Sequence, residues 1–372
     1  MNALHLAEQA TLGALMLDRD LPRLTAGWLR SEDFAHPWHS HVHAAIRDLA
    51  AARRPADART VGEGLIQRLG HREADVPRLV DLLQSAPVRP AGARYAAMVL
   101  EGSLRRRVAC YGVLLKGAAL SCVLTADPAA VDAVARHIDH DVAGAEHRWA
   151  TATGQPLPER RATPPDGGLL PFGLGGHVAA DRVLVEHPVP SAEQIAAHEA
   201  ILIAALIHHP DRVDDVAGWL HPDAMLSRPW AAAYRAVVHL TQAHQPVDVV
   251  TVAWELQRTE ALHGPGPAVR ALRDLVEVST ITDPERAGRE VAGDQLRLIA
   301  ERAAASLRAD AANAGLDVRD LLDTATLHAT TLAEIAARAD LGSATAPSAP
   351  ACATRPASAA ARHRVLAPVI SR

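Results

Sequence analysis

"GWLRSEDFAHPW" occupies residues 27–38, and "GWLHPDAMLSRPW" occupies residues 218–230. The chain has six tryptophans, and four of them (Trp28, Trp38, Trp219 and Trp230) stand in these two phrases. Laying Gly27-Trp28-Leu29 over Gly218-Trp219-Leu220 gives an offset of 191 residues, which also pairs Glu8 with Glu199, Leu15 with Leu206, Thr60-Val61 with Thr251-Val252 and Leu65 with Leu256. The Pro-Trp pairs are displaced by one further residue, so an insertion and a compensating deletion lie between. A nearly constant offset held over about 60 residues is an internal repeat, and a period this long makes the repeating unit a whole domain.

Each copy reads as helical. "PSAEQIAAHEAILIAALIHHP" (190–210) opens with Ser191 and Gln194 at capping-box spacing. Ile195, Leu202 and Leu206 then recur at helical spacing until Pro210 stops the run. "LAEQATLGALML" (6–17) sets Leu12, Leu15 and Met16 on the matching face of the first copy. "PADARTV" (55–61) and "PVDVVTV" (246–252) place Asp57 and Asp248 where an aspartate caps a helix by accepting from exposed backbone N–H groups. A longer helical pair closes each copy, residues 95–122 with 127–147 in the first and 285–314 with 317–338 in the second. Two long helices with a short connection form an antiparallel hairpin. With aromatics at 3% of the chain, the cores must be built from Ala, Leu and Val, which suits close helix-on-helix packing.

The expected organisation is therefore all-α. A first helical-bundle domain spans 1–149, and a Pro/Gly-rich flexible linker spans 150–189. A homologous second domain spans 190–339, followed by a low-complexity, disordered tail over 340–372. Some 40 residues of such linker reach on the order of 35 Å, enough for the two domains to meet face to face.

Composition excludes several functions. A formal net charge of −5 argues against a protein whose main work is neutralising duplex phosphates. Arg105, Arg106 and Arg107 form a local basic run that reads as a solvated helix face, as does "RHIDHD" (136–141). Three cysteines without CxxC spacing suggest neither a disulfide framework nor a zinc-thiolate site and fit a reducing cytoplasm. No secretory leader or membrane-spanning stretch is expected. "HPWHSHVH" holds His36, His39, His41 and His43, and His39 with His43 has the i, i+4 spacing that can hold a metal. A third ligand is not evident there, and the second copy has Ala231 and Arg235 at the corresponding places, so the segment reads as a polar surface helix with no metal. No stretch assembles a nucleophile, a base and an orienting group, and no cofactor is expected.

The order of "AEQATLGALML", "SEDFAHPWH" and "PADARTV", repeated more loosely as "AAHEAILIAALI", "HPDAMLSRPW" and "PVDVVTV", is similar to the N-terminal domain of the DnaB-type replicative DNA helicases. The resemblance implies an all-α domain that forms a collar on the helicase ring through its hairpins and docks primase and loading factors. In that family the ATPase motor is a separate RecA-like domain. The motor's G-x-x-x-x-G-K-[ST] loop needs a lysine on the phosphates. Lys116, the one lysine of this sequence, sits in "VLLKGAAL" and cannot serve. The expectation is a non-enzymatic interaction module with a replicative helicase, primase or loader as partner, DNA met only indirectly, and no membrane. The alternatives are a DNA-binding regulator using "PVDVVTVAWELQRTEAL" as a helix-turn-helix start, or a divergent helicase subunit needing a motor in trans.

Because the family's hairpins pair between subunits, pairing within this chain, or in a homo-oligomer, is expected. Leu104, Val108 and Leu115 in the first copy and Leu296, Ile299 and Leu307 in the second are the interface candidates. The competing possibility is that they fill each domain's own core.

Overall fold

A computed structural model describes residues 2–86, 91–157, 184–263, 266–278 and 282–344, and among these residues there is no strand. The first half builds α1 (Ala3–Leu17), α2 (Leu21–Thr25), α3 (Pro37–Ala51), α4 (Ala58–Leu69), α5 (Arg78–Ser85), α6 (Gly92–Thr125) and α7 (Ala129–Thr153). The second half repeats the order with α8 (Ala192–His208), α9 (Val213–Ala217), α10 (Arg228–Gln242), α11 (Val249–His263), α12 (Val269–Val278), α13 (Pro284–Ala312) and α14 (Val318–Ala344).

Local chemistry sets these boundaries. Asp57 accepts from the Thr60 N–H at 2.9 Å to start α4, and Asp248 accepts from the Val250 and Thr251 N–H groups at 2.8 and 2.9 Å to start α11. Ser191 and Gln194 complete their reciprocal box, with the Gln194 N–H on Ser191 Oγ at 3.2 Å and the Ser191 N–H on Gln194 Oε1 at 2.8 Å. Pro37 and Pro229 occupy the first turns of α3 and α10, where a missing N–H costs nothing.

Glu8 and Glu199, paired by the sequence offset, are both buried in α1 and α8. Glu8 accepts from the Ala35 N–H at 2.5 Å and Glu199 from the Leu226 N–H at 2.5 Å. Ala35 and Leu226 are themselves 191 residues apart, so the same carboxylate ties the same loop to the same helix in both halves.

The hairpins α6–α7 and α13–α14 lie against each other, α6 on α13 and α7 on α14, as one four-helix bundle. Its core is continuous with that of the small helices of the first half, while α8 to α12 enclose a second core around Leu202, Leu206, Tyr234 and Val237. By length and apolar content α6 could cross a membrane, contrary to the expectation from sequence. Its apolar residues Val99, Leu100, Leu104, Val108 and Leu115 are instead buried in the protein. The expected flexible linker and disordered tail fall mostly on residues 158–183 and 345–372, which lie outside the described residues.

Candidate functional site

The interface candidates come together. Leu104, Val108, Leu115, Leu296 and Leu307 are buried in one apolar core shared by the two hairpins, and Ile299 packs half-buried against it. Interface and core are the same thing here, because each hairpin completes the other's interior. Burying one such leucine is worth roughly 1.5–3 kcal/mol. At the crossing the helices nearly touch: a Cβ added to Gly112 of α6 would lie 2.8 Å from Ala304 Cα of α13. Polar groups fix the alignment. Lys116 Nζ meets Glu301 at 2.7 Å, and Arg105 of α6 donates to the Asn313 and Leu316 carbonyls at 2.7 Å each, closing the last turn and the loop that joins α13 to α14. The lysine that cannot cradle a phosphate thus bridges the two copies.

The Arg105–Arg107 run is not a solvated face, and in "RHIDHD" Arg136 is exposed while Asp141 turns inward. Arg106 donates to the Asp33 carbonyl at 2.5 Å, and Arg107 pairs with Asp141 of α7 at 2.6 Å, which also accepts from Tyr111 Oη at 2.5 Å. Burial pushes the Arg107 guanidinium down, but Asp141 and Tyr111 outweigh it and hold it above its ordinary range. These arginines are engaged with acceptors inside the protein, which removes the feature that suggested nucleic-acid binding. Beneath them lies a buried network that sequence reading missed. Asp33 pairs with Arg148 of α7, accepts from Ser103 Oγ at 2.8 Å and from the Arg30 N–H at 2.7 Å, and Arg148 Nε donates to the Trp28 carbonyl at 2.8 Å. No local motif joins residues this far apart in sequence.

Among the repeat-signature tryptophans, Trp28 and Trp38 are buried and Trp219 and Trp230 are half-buried. Trp28 Nε1 donates to the Leu24 carbonyl at 3.1 Å and Trp38 Nε1 to the Ala74 carbonyl at 3.1 Å, while Arg78 lies 4.5 Å over the Trp38 ring.

The histidine segment is not the surface helix its polarity suggests. His41 is exposed, but His39 and His43 are buried and take different partners: His39 Nδ1 lies 2.7 Å from Glu8 Oε2, and His43 Nδ1 lies 3.0 Å from Ser31 Oγ. Burial, helped by Arg47, lowers the His43 pKa to about 4 against an opposing pull from Asp33. The unfolded chain, with His43 near its ordinary 6.5, then binds the proton more readily, and acid favours unfolding. His43 should contribute about 3 kcal/mol above pH 6.5 that is lost as the pH falls through about 4. Urea midpoints measured across that window should fall in the wild type and flatten in His43→Gln.

One apolar face stays open. α11 presents Val250 and Trp254 to solvent, 76% and 70% exposed, beside Val269 of α12 at 59%. They border a groove of about 780 Å³ that also takes in Val249, Val276 and Arg273. At the 191-residue offset the first half has Arg59 and Glu63 in place of Val250 and Trp254, and those two form an ion pair at 3.3 Å. The fold therefore accepts a charged surface at these two positions and does not require a tryptophan. The same face is what the helix-turn-helix alternative would use, and it offers apolar groups where phosphates would want arginines.

The DnaB-like helicase N terminal domain pattern matches the chain twice, over residues 1–101 and 191–290. A 107-residue stretch is 37% identical to the replicative DNA helicase DnaB of Mycobacterium leprae (strain TN), covering 27% of this chain and 17% of that protein. No solved structure matches. The two matched segments carry the paired buried glutamates, the aspartate caps and the Pro-Trp helices described above, and on that ground the chain belongs to the DnaB-like helicase N-terminal domain family, whose domain it holds in two copies.

Proposed function

We propose that the chain is a non-catalytic docking module of DNA replication, a self-paired helicase-collar unit that binds a replicative helicase, its primase or its loader. It works in the cytoplasm and meets DNA through those partners. The observation that carries the docking reading is the open face of Val250, Trp254 and Val269 in the second copy, where the first copy has an ion pair. Exposed apolar groups beside a polar rim mark a contact surface, and a tryptophan is the side chain most often found at the centre of one. The family supplies the setting, since a relative of the chain is a replicative DNA helicase. The absence of G-x-x-x-x-G-K-[ST] from residues 1–372 supports a role without ATP hydrolysis by these residues.

The test is capture of purified helicase, primase and loader from the same organism on the immobilised chain. At least one should bind, and Trp254→Ala should weaken that partner tenfold or more, as expected when a contact-centre tryptophan is truncated at a cost of about 2 kcal/mol. Trp254 is largely exposed, so the variant should keep the wild-type melting curve. Failure to bind all three, or equal capture by the variant, refutes the reading. A gel shift at physiological salt separates the regulator alternative, which requires duplex binding by the chain itself.

A further inference from the structure

His5 and Glu8 stand three residues apart on α1, and His39 of α3 packs against both. One donor atom from each lies within 4.8 Å of the others. His39 is fully buried, Glu8 is 1% exposed, and His5 is half-buried. Glu8 uses Oε1 to hold the Ala35 N–H, and its Oε2 lies 2.7 Å from His39 Nδ1. His39 Nε2 is buried and has no hydrogen-bond partner within the protein. Partnering Glu8 therefore does not use up what His39 offers, and an orphaned ring nitrogen in the interior is costly. The His5 ring centroid lies 5.0 Å from that of His39. His36 is the neighbour on the other side at 4.6 Å from His39, but its Nδ1 accepts from the Trp38 N–H and its Nε2 lies 3.4 Å from Arg78, so it is occupied.

The second copy provides an internal control. Glu199 keeps the place and the backbone bonds of Glu8, yet Ala196 stands at the counterpart of His5 and Ala231 at that of His39. The fold thus needs the carboxylate and does not need the imidazoles. Two imidazoles around one backbone-anchored carboxylate are a nitrogen-oxygen donor set suited to a borderline divalent ion.

We propose that His5, Glu8 and His39 bind a single zinc-type divalent cation that pins α1 to the start of α3 in the first copy only. One nitrogen from each histidine and one Glu8 oxygen are the ligands, and the Ala35 N–H orients the carboxylate from behind. Ligand distances of about 2.0–2.2 Å require the donors to draw inward. The half-buried His5 has the rotational freedom to do so.

The full chain, purified without a histidine tag and stripped with chelator, is titrated with Zn²⁺ by calorimetry and with Co²⁺ by visible absorption. One equivalent should bind, Co²⁺ should give the intense bands of a low-coordinate site, and the melting temperature should rise with Zn²⁺. His5→Ala should lose at least tenfold in affinity, and His36→Ala should keep the wild-type value. Because twenty histidines could trap an ion elsewhere, equal affinity in His5→Ala and wild type overturns the proposal, as does the absence of binding. If His5→Ala does not fold, ring-nitrogen NMR of the wild type decides: zinc must shift the His5 and His39 signals, and shifts confined to other histidines refute the site.

Discussion

Asp33→Ala is expected to destabilise the protein by about 3–5 kcal/mol, the cost of leaving a buried guanidinium without its counter-charge. Asp33 is fully buried and Arg148 nearly so, and burial already pulls Arg148 below its ordinary pKa while Asp33 pulls it back. The carboxylate also serves Ser103 on α6 and the Arg30 N–H, so its loss unties α7, α6 and the 30–34 turn together. A urea titration of the full chain measures the effect. Asp33→Ala with Arg148→Ala should cost less than the two single changes added, since the double variant leaves no lone charge behind. Additive costs would mean that the pair is not coupled.

Gly112→Leu is expected to cost about 1–3 kcal/mol or more by overpacking the hairpin crossing. The new side chain would meet backbone of α13 at Ala304, and backbone cannot turn aside as a side-chain tip can. The strain falls between the two copies, so the hairpins should part and expose their apolar faces, and sedimentation should show more self-association than in the parent. Gly144→Ala on α7 is the opposite case. Its Cβ meets nothing within 4 Å, and removing a glycine from a helix interior should stabilise by about 0.5–1 kcal/mol. Opposite signs for the two glycines would assign the first effect to the crossing rather than to helix propensity.

What the sequence revealed was what local rules control. The Ser191–Gln194 box, the Asp57 and Asp248 caps and the helical spacing of the hairpins each depend on residues a few positions apart, and the repeat shows as plain self-similarity of the chain. The aliphatic stripes leave open whether Leu104 through Leu307 form a shared layer or fill each domain's own core, because a stripe does not name what it packs against. Features made by distant segments were hidden. Arg106 of α6 and Arg148 of α7 converge on Asp33 from 73 and 115 residues further along the chain, and nothing in an Arg triplet says whether it faces water or a buried acid. The spacing of His39 and His43 suggests a polar surface helix, whereas His39 is buried and its partner comes from α1. The open face of α11 was legible in principle. Val252 and Leu256 are buried, and Val250 and Trp254 sit two positions away from them, about 200° around a helix, so one pair had to point outward.

The pairing of the hairpins within one polypeptide also decides how the molecule counts its partners. Two identical subunits related by a twofold axis would show every surface feature twice. Here the tryptophan face belongs to one half and the buried imidazoles to the other, so each feature is presented once and the particle has a distinguishable left and right. A ligand of the α11 face would bind with a stoichiometry of one, in a single orientation. Covalent linkage keeps the two halves together, and with them that asymmetry, at any dilution a cell imposes.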